Sequence, residues 1–296
     1  MIPKLIHQIW IQGVAHFQVT KPQEYEYSIQ LQQIFHSWTY KLWCDQDIVN
    51  LIERSYPSLL SMYIETQKPA FQADIARYVI LHSFGGLYLD TDYAVLKYFG
   101  HLVYNCDISF ACLRYDSFSS FDARTLSQWR HNNCMIASTI GHPIIKETLS
   151  TILSTQVRRR RRGGTTRSWL SAIPFTLLAY NDAVANHLQD DGVLCISNQL
   201  LEPLHAFNRH LVCVNINEYR INFPSAYAVH LGAASWIVMQ KQIYLPILRF
   251  YGSIREQWQI VCVIFLIIII ISVFARSKLR RQFAKCSKAL EMSTVR

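Results

Sequence analysis

Glycine, proline and charged residues are all scarce in this 296-residue chain. It holds only 10 glycines and 9 prolines, which excludes collagen-like and low-complexity architectures. Charged side chains make up 17% of the residues, below the roughly 25% of an average globular chain. None of the eight cysteines forms a CxxC pair or a Cys/His cluster with zinc spacing, and for the six before residue 258 buried thiols are favoured over the alternative, disulfides. The chain is instead rich in apolar residues (51%), which excludes intrinsic disorder.

The longest apolar run lies near the C-terminus, where Ile260 to Ala275 carry no charge and include five consecutive isoleucines. With Trp258 and Gln259 the run reaches about 18 residues, close to the ~20 that span a bilayer. A buried core helix is the alternative, but a helix of a globular domain keeps a polar face. We therefore predict a transmembrane helix over residues 258–275 and a basic tail over 276–296. The net charge of +9 then relates to a membrane and not to nucleic acid.

The start of the chain shows no secretory signal peptide, because the apolar run LIHQIW is short and soon interrupted. The basic tail would place the preceding domain outside the cytosol, since positive residues favour the cytosolic side. A lone C-terminal anchor inserted after synthesis would place that domain inside. The sequence leaves the side of the membrane open.

Short apolar runs alternate with helical patterns through the first 255 residues. Strands are expected at Lys4–Ile11, Trp38–Trp43, Leu87–Leu89, Val193–Ile196 and Ala226–Val229. Helices are expected at Ile48–Arg54, Ala70–Ser83, His142–Leu153 and Ser168–Tyr180, and a loop at Arg158–Arg162. This alternation predicts an α/β domain with a mostly parallel sheet over residues 1–255.

Two aspartates follow the third predicted strand, in the sequence GGLYLDTDYAV. Asp90 and Asp92 are two residues apart, so a continuing strand would place both carboxylates on one side. Ligands of open α/β sheets bind at such strand ends. Because neighbouring carboxylates repel each other unless a cation compensates, the pair favours a hard divalent ion, Mg²⁺ or Mn²⁺, that can bridge to a diphosphate. A plain Asp-rich turn is the alternative.

The preceding helix contributes another acidic residue and a basic one. Asp74 and Arg77 are three residues apart and therefore share a helix face. The Gly85-Gly86 reversal would fold that helix back against the strand that ends at Asp90. We therefore expect these side chains to converge on one cleft, although a surface ion pair of little energetic value is the simpler reading of Asp74 and Arg77.

Six segments, in this order, resemble the DXD-containing glycosyltransferases of family 32. They are IPKLIHQIW at 2–10, WTYKLWCD at 38–45, ADIAR at 73–77, GGLYLDTD at 85–92, NCMIASTIGHP at 133–143 and HLGAASW at 230–236. The resemblance implies a GT-A-like, Rossmann-like nucleotide-sugar-binding domain. It also implies retaining transfer of a hexose (mannose, galactose or GlcNAc) from GDP-mannose or a UDP-hexose to a glycolipid or glycan hydroxyl. No covalent protein nucleophile is expected.

The resemblance also implies donor-binding roles. Ile9 and Trp10 match the strand end that holds the nucleotide base, with Trp10 stacking on it. Asp74 and Arg77 match residues that contact the donor's sugar. For Trp10, burial in the core is the plainer alternative.

The remaining matched positions concern the metal and the diphosphate. Asp90 and Asp92 match the metal–diphosphate motif, with Asp92 as the more direct ligand. His230 matches a residue that closes over the metal, and Ser235 and Trp236 match the segment that closes over the diphosphate. A core histidine is the alternative for His230.

Some positions depart from the family pattern or fit it only loosely. Ile173 stands where many relatives carry glycine, so the acceptor pocket could differ from theirs. Asn133 and His142 are expected to have packing or acceptor-side roles. The Arg158–Arg162 run has no family counterpart, and contact with anionic headgroups is the alternative to a solvated loop.

Two other functions remain open at this stage. A membrane-bound relative could have kept the fold and lost turnover. A haloacid-dehalogenase-like phosphatase also has DxD after a strand, but near the start of its domain and with Thr or Val where Ala94 stands. The favoured hypothesis is a metal-dependent glycosyltransferase with a single C-terminal span, in an endomembrane of the Golgi or ER type.

Overall fold

Eight strands lie in the part of the chain that the computed structural model describes, which is residues 1–66, 68–103, 105–112, 131–160, 175–201 and 216–231. They are β1 (Leu5–Ile9), β2 (Thr39–Trp43), β3 (Gly86–Leu89), β4 (Tyr93–Val95), β5 (Ile108–Cys112), β6 (His131–Ser138), β7 (Val193–Ser197) and β8 (Ala228–His230). Six form one sheet in the order β2-β1-β3-β6-β5-β7, and β4 pairs with β8. All described residues belong to one compact unit, Met1–Ala234.

Ten helices accompany the strands in the described ranges. They are α1 (Val14–Thr20), α2 (Pro22–Ile34), α3 (Asp45–Ser55), α4 (Pro57–Glu65), α5 (Pro69–Phe84), α6 (Gly100–Val103), α7 (Pro143–Arg160), α8 (Phe175–His187), α9 (Asn198–Leu201) and α10 (Ile216–Asn222). Prolines at the first helical position begin α2, α4 and α5, where their missing N–H costs no hydrogen bond.

The sheet is mostly parallel, as the alternation of elements predicted. β1 pairs in parallel with both β2 and β3, and β5 pairs in parallel with β7. The exception is β6, which is antiparallel to both of its neighbours, β3 and β5. The amino-terminal half of β6 therefore lies beside the carboxyl end of β3.

Apolar side chains cover both faces of this sheet. Along β3, Leu87 and Leu89 belong to one core cluster and Tyr88 to another. Along β6, Ile136 shares the cluster of Tyr88, whereas Met135 shares that of Leu87. This alternation follows from the two-residue period of a strand and produces a layered α/β fold with helices on each face.

The helix–turn–strand junction before Asp90 forms as the glycines predicted. α5 ends at Phe84, and Gly85 and Gly86 adopt φ angles of +61° and +92°, which favour glycine. A Cβ on Gly86 would lie 2.6 Å from the backbone oxygen of Leu5. The absence of a side chain thus allows β3 to pack directly beside β1.

Several sequence-based expectations need correction. Arg158, Arg159 and Arg160 belong to the last turn of α7 and not to a loop, because the helix continues seven residues beyond the predicted end at Leu153. Cys106 is a buried thiol as expected, whereas Cys44 and Cys134 are partly exposed thiols and Cys195 is disulfide-bonded.

The remaining predictions concern parts of the chain that the structure does not describe. Residues 258–275 and 276–296, predicted as span and tail, lie outside the described ranges, as do Ile173, Ser235 and Trp236. Within the described ranges, no helix combines the length and apolar character needed to cross a bilayer.

Candidate active site

The backbone of Asp90 is fixed at the edge of the sheet by both neighbouring strands. Its N–H donates to the backbone oxygen of Cys134 on β6 at 2.8 Å. Its carbonyl oxygen accepts from the amide of Gln8 on β1 at 3.2 Å, and Gln8 in turn accepts from the hydroxyl of Tyr40 at 2.9 Å. The first aspartate of the DXD motif therefore occupies a rigid position at the carboxyl end of β3, where ligands of α/β sheets bind.

Arg77 on α5 connects the helix to this strand end. Its guanidinium lies 2.7 Å from a carboxylate oxygen of Asp74 and 3.2 Å from Oδ1 of Asp90. It also donates to the backbone oxygen of Asn133 at 2.6 Å and lies over the ring of Tyr88. Arg77 is only 5% exposed, so these contacts replace its water. The predicted convergence of Asp74, Arg77 and Asp90 is thus observed.

Burial and neighbouring charges shift the pKa values of Asp74 and Arg77. Desolvation raises the pKa of Asp74 to about 6, although the neighbouring guanidinium of Arg77 opposes the shift. Burial alone would lower the pKa of Arg77, but the charges of Asp90, Tyr88 and Asp74 raise it well above its ordinary value. Arg77 is therefore a permanent buried cation that holds two carboxylates.

The second aspartate and His230 meet through the small β4–β8 sheet. Tyr93 on β4 is opposite His230 on β8 in the antiparallel register, and the N–H of Leu231 donates to the backbone oxygen of Asp92. His230 Nε2 lies 3.2 Å from Oδ1 of Asp92, and the imidazole stacks on the ring of Tyr93. Two segments 138 residues apart in the sequence thus place these side chains together.

The two aspartates do not share a strand face as the two-residue spacing predicted. Thr91 and Asp92 form a turn between β3 and β4, so the strand does not continue through Asp92. Asp90 contacts Arg77 and the hydroxyl of Tyr88, whereas Asp92 contacts His230. The carboxylates nevertheless approach one location, because His230 lies close to both.

One residue of this cluster, Cys134, was not predicted from the sequence. Ligand atoms of Asp90, Cys134 and His230 all lie within 4.8 Å of one another, and each is a residue type that binds metals. Cys134 reaches this location because Leu89 is opposite Met135 in the β3–β6 pairing. No local motif indicates that pairing, so only the antiparallel register of β6 could have identified the thiol.

Trp10 lies just beyond the carboxyl end of β1 and packs against the rings of His16 and Phe17. Its indole stacks on Phe17 with ring centroids 4.4 Å apart, and its Nε1 donates to His16 at 3.1 Å. Ile9 packs in the same core cluster as Tyr88. Trp10 is only partly buried, so a contact with a nucleotide base remains a prediction.

Asn133 and His142 serve packing in the described structure. The Asn133 amide donates to the hydroxyl of Tyr78, while its backbone oxygen holds Arg77. His142 Nδ1 accepts from the N–H of Ile144 and so caps the first turn of α7. Asn133 therefore helps to hold Arg77 in position.

Comparison with known proteins identifies this region. A family described as the glycosyltransferase sugar-binding region containing DXD motif matches residues 21–108. An uncharacterized glycosyltransferase, L373, of Acanthamoeba polyphaga mimivirus is 35% identical over 101 residues, which are 34% of this chain and 39% of that protein. Inositol phosphoceramide mannosyltransferase 3 of Schizosaccharomyces pombe is 32% identical over 91 residues, which are 31% of this chain and 24% of that protein. The matched region thus spans less than half the length of either relative.

Two solved structures are similar to parts of the fold. The PaToxG glycosyltransferase is 20% identical over 63% of this chain and 69% of that chain, with a TM-score of 0.39. The galactosyltransferase LgtC is 9% identical over 78% of this chain and 87% of that chain, with a TM-score of 0.41. The family match covers residues 21–108, which include Asp74, Arg77, Asp90 and Asp92, so this part of the chain is similar to glycosyltransferases whose sugar-binding region contains DXD.

Proposed function

We propose that this protein is a membrane-anchored, divalent-metal-dependent glycosyltransferase that moves a hexose from a nucleotide sugar to a hydroxyl of a glycolipid or glycan, with retention of anomeric configuration. The observation that carries the proposal is the position of His230, which lies within 4.8 Å of a carboxylate oxygen of Asp90 and 3.2 Å from Oδ1 of Asp92, while Arg77 contacts both Asp74 and Asp90. The GT-A-like fold of the family is the framework that we infer for it.

The residues at this location fit a divalent cation. Two carboxylates and an imidazole supply oxygen and nitrogen ligands of the kind that Mn²⁺ and Mg²⁺ accept. We assign Asp90, Asp92 and His230 to the ion. When bound, such an ion neutralises the charge that develops on a departing nucleoside diphosphate.

Arg77 acts mainly by positioning the acidic residues. Its guanidinium is held by Asp74, Asp90 and the backbone of Asn133. If it moved away, the two carboxylates would be left buried without a neighbouring cation. The Asp74 side chain is 15% exposed, against 6% for that of Arg77. We therefore assign the predicted contact with the donor's sugar chiefly to Asp74.

We assign the nucleotide base to the end of β1. Ile9 ends β1 and Trp10 follows it; because β1 runs parallel to β3, the base site that we assign to these two residues lies at the same sheet edge as Asp90. Phe17 supports the Trp10 indole on one side and pre-orders it for stacking on uracil or guanine. Ser235 and Trp236 retain their predicted role over the diphosphate.

The acceptor that we propose is a lipid-linked hydroxyl. The similar protein of Schizosaccharomyces pombe is named an inositol phosphoceramide mannosyltransferase. A glycolipid acceptor also agrees with the predicted span at 258–275, which would hold the cleft near a membrane of the Golgi or ER type. GDP-mannose is then the first donor to test, followed by UDP-hexoses.

The function is tested by incubating the purified full chain with a panel of GDP- and UDP-sugars, with Mn²⁺, Mg²⁺ or a chelator. We expect slow, metal-dependent hydrolysis of one donor and transfer to a lipid acceptor when one is added. Asp92→Asn should abolish both activities. The matched control is Asp182→Asn, which changes an exposed aspartate on α8 and should retain full activity.

Two other outcomes of this experiment would support the alternative functions. If no nucleotide sugar is hydrolysed or bound, the protein is a non-catalytic relative of the fold. Release of phosphate from sugar phosphates without any nucleotide sugar would instead support a phosphatase that uses Asp90 as its nucleophile.

A further inference from the structure

A thiol lies inside the proposed metal site. Cys134 occupies β6 beside the end of β3, and its backbone oxygen accepts from the N–H of Asp90 at 2.8 Å. Ligand atoms of Asp90, Cys134 and His230 lie within 4.8 Å of one another. Cys134 is not in a disulfide. We propose that Cys134 is a protein ligand of this site and that it makes the site select Zn²⁺ and other thiophilic divalent ions over Mg²⁺ and Mn²⁺. This inference rests on the proposed location of the metal site.

The ligand set is the chemical reason for this selectivity. Cysteine, histidine and carboxylate together are a typical zinc combination, and Cys134 with Asp90, Asp92 and His230 would supply the four protein ligands that zinc commonly takes. Hard ions such as Mg²⁺ gain little from sulfur, since they prefer oxygen ligands. A site with only carboxylates and imidazole would discriminate less between Zn²⁺ and Mn²⁺.

The surrounding contacts leave suitable ligand atoms. Arg77 and the hydroxyl of Tyr88 both contact Oδ1 of Asp90, so we assign Oδ2 as the metal ligand. The imidazole of His230 is held by stacking on Tyr93. The thiol of Cys134 donates to Oδ1 of Asn132 at 2.9 Å. Metal binding would break this bond, form the metal–sulfur bond and release the thiol proton to solvent, and it would also displace the proton that His230 Nε2 shares with Oδ1 of Asp92.

The spacing of the three ligands requires only a small adjustment. Metal–ligand bonds of about 2.0–2.3 Å place neighbouring ligands of a tetrahedral site under ~4 Å apart. Side chains that already lie within 4.8 Å can reach this spacing by small changes in side-chain torsion. The backbone at Asp90 and Cys134 need not move, because their mutual hydrogen bond already fixes it.

The test compares metal affinities in the absence of any nucleotide sugar. Zn²⁺ and Mn²⁺ affinities of the full chain are measured by competition with a chromophoric chelator, for the wild type, Cys134→Ser and Cys44→Ser. Cys44 is the matched control, because its thiol caps α3 beside Asp47, a role that serine also performs. The absorption spectrum of the Co²⁺-loaded protein reports a metal–thiolate bond directly.

We expect Cys134→Ser to weaken Zn²⁺ binding by at least about tenfold and to change Mn²⁺ binding by less than about threefold, since only the softer ion uses the sulfur. The cobalt–thiolate charge-transfer band should be present in the wild type and in Cys44→Ser, and absent from Cys134→Ser. Unchanged Zn²⁺ affinity, or a band that persists in Cys134→Ser, would overturn the proposal.

A second measurement uses the wild type only, in case the variant does not fold. Alkylation by iodoacetamide is followed by mass spectrometry with and without Zn²⁺. Zn²⁺ should slow the modification of Cys134 and leave that of Cys44 unchanged; equal rates at Cys134 would contradict the inference. Because neither measurement uses a sugar donor, zinc binding without turnover would refute only the proposed function, and turnover without thiol-dependent zinc binding would refute only this inference.

Discussion

Arg77 shows how one buried side chain can hold a site together. It is the cation for two carboxylates, a donor to the backbone of β6 and a partner of the Tyr88 ring. Its four contacts come from α5, β3, β6 and the start of the DXD turn. Replacing it would leave Asp74 and Asp90 as desolvated charges of the same sign, which is a costly arrangement.

We predict that Arg77→Ala lowers the free energy of unfolding by about 3–5 kcal/mol, because it breaks a buried ion-pair network by removing one partner. Urea denaturation followed by circular dichroism measures this change. Arg54→Ala is the control, because Arg54 is exposed and bonds only to a carbonyl within its own helix, so its loss should cost under about 0.5 kcal/mol. Equal effects of the two substitutions would show that the network adds nothing to stability.

Site residues that are close together in the chain could be predicted from the sequence. Site residues that are brought together by strand pairing could not. Asp74 and Arg77 are predictable from the helical period, and Asp90 from its place after an apolar strand. Cys134 is not, because its proximity to Asp90 depends on the register of an antiparallel strand more than forty residues later. The resemblance to a family placed His230 at the site; spacing alone would not have done so.

Among the elements, the junction from α5 to β3 determines where the site forms. Gly85 and Gly86 reverse the chain within two residues and bring β3 against β1. The turn places Asp74 and Arg77 over the end of the same strand that carries Asp90. Both glycines adopt positive φ angles, and both lack the space for a Cβ.

We predict that Gly86→Ala destabilises the protein markedly more than Gly141→Ala. Both positions have positive φ, which costs an alanine roughly 1–2 kcal/mol. At Gly86 the new Cβ would also meet the backbone oxygen of Leu5 at 2.6 Å, whereas no atom lies within 4 Å of a Cβ at Gly141. Thermal unfolding by calorimetry compares the two variants. A similar decrease in melting temperature for both would mean that steric contact at Gly86 is relieved without cost.

Elements with strong patterns were predictable and those with weak patterns were not. β1, β2, β3 and α5 follow clear apolar runs or glycine and proline signals. α2 was missed because its sequence is polar and buries only Tyr27, Ser28 and Leu31. The end of α7 was placed too early because a run of arginines resembles a solvated loop, although arginine is a good helix former.

At the scale of the whole molecule, His7 on β1 connects its own strand to β2 and to the turn between α5 and β3. Its Nδ1 accepts from the indole of Trp43 on β2 at 3.1 Å, and its Nε2 donates to the backbone oxygen of Gly85 at 2.9 Å. The contact with Trp43 requires the neutral imidazole, since an indole N–H only donates and Nδ1 must therefore accept; the proton on Nε2 is then donated to the carbonyl of Gly85. Burial lowers the pKa of His7 to about 4.

We predict that this histidine makes the protein sensitive to acid. The unfolded chain takes up a proton near pH 6.5, whereas folded His7 does so only near pH 4, so stability is complete above pH 6.5 and falls as the pH decreases toward 4. The loss attributable to His7 approaches ~3 kcal/mol at pH 4. Urea denaturation at several pH values should show a shallower decline for His7→Gln. An unchanged pH dependence would mean that His7 is already protonated in the folded protein.

The central claim for the molecule is that the sheet edge at Asp90 and Asp92 binds a metal-linked nucleoside diphosphate. Calorimetric titration of the full chain with GDP and with UDP, with and without divalent metal, tests this most directly. We predict that one nucleotide binds only when metal is present and that Asp92→Asn abolishes this binding while Asp182→Asn retains it. Binding that is independent of metal, or that survives Asp92→Asn, would contradict the account.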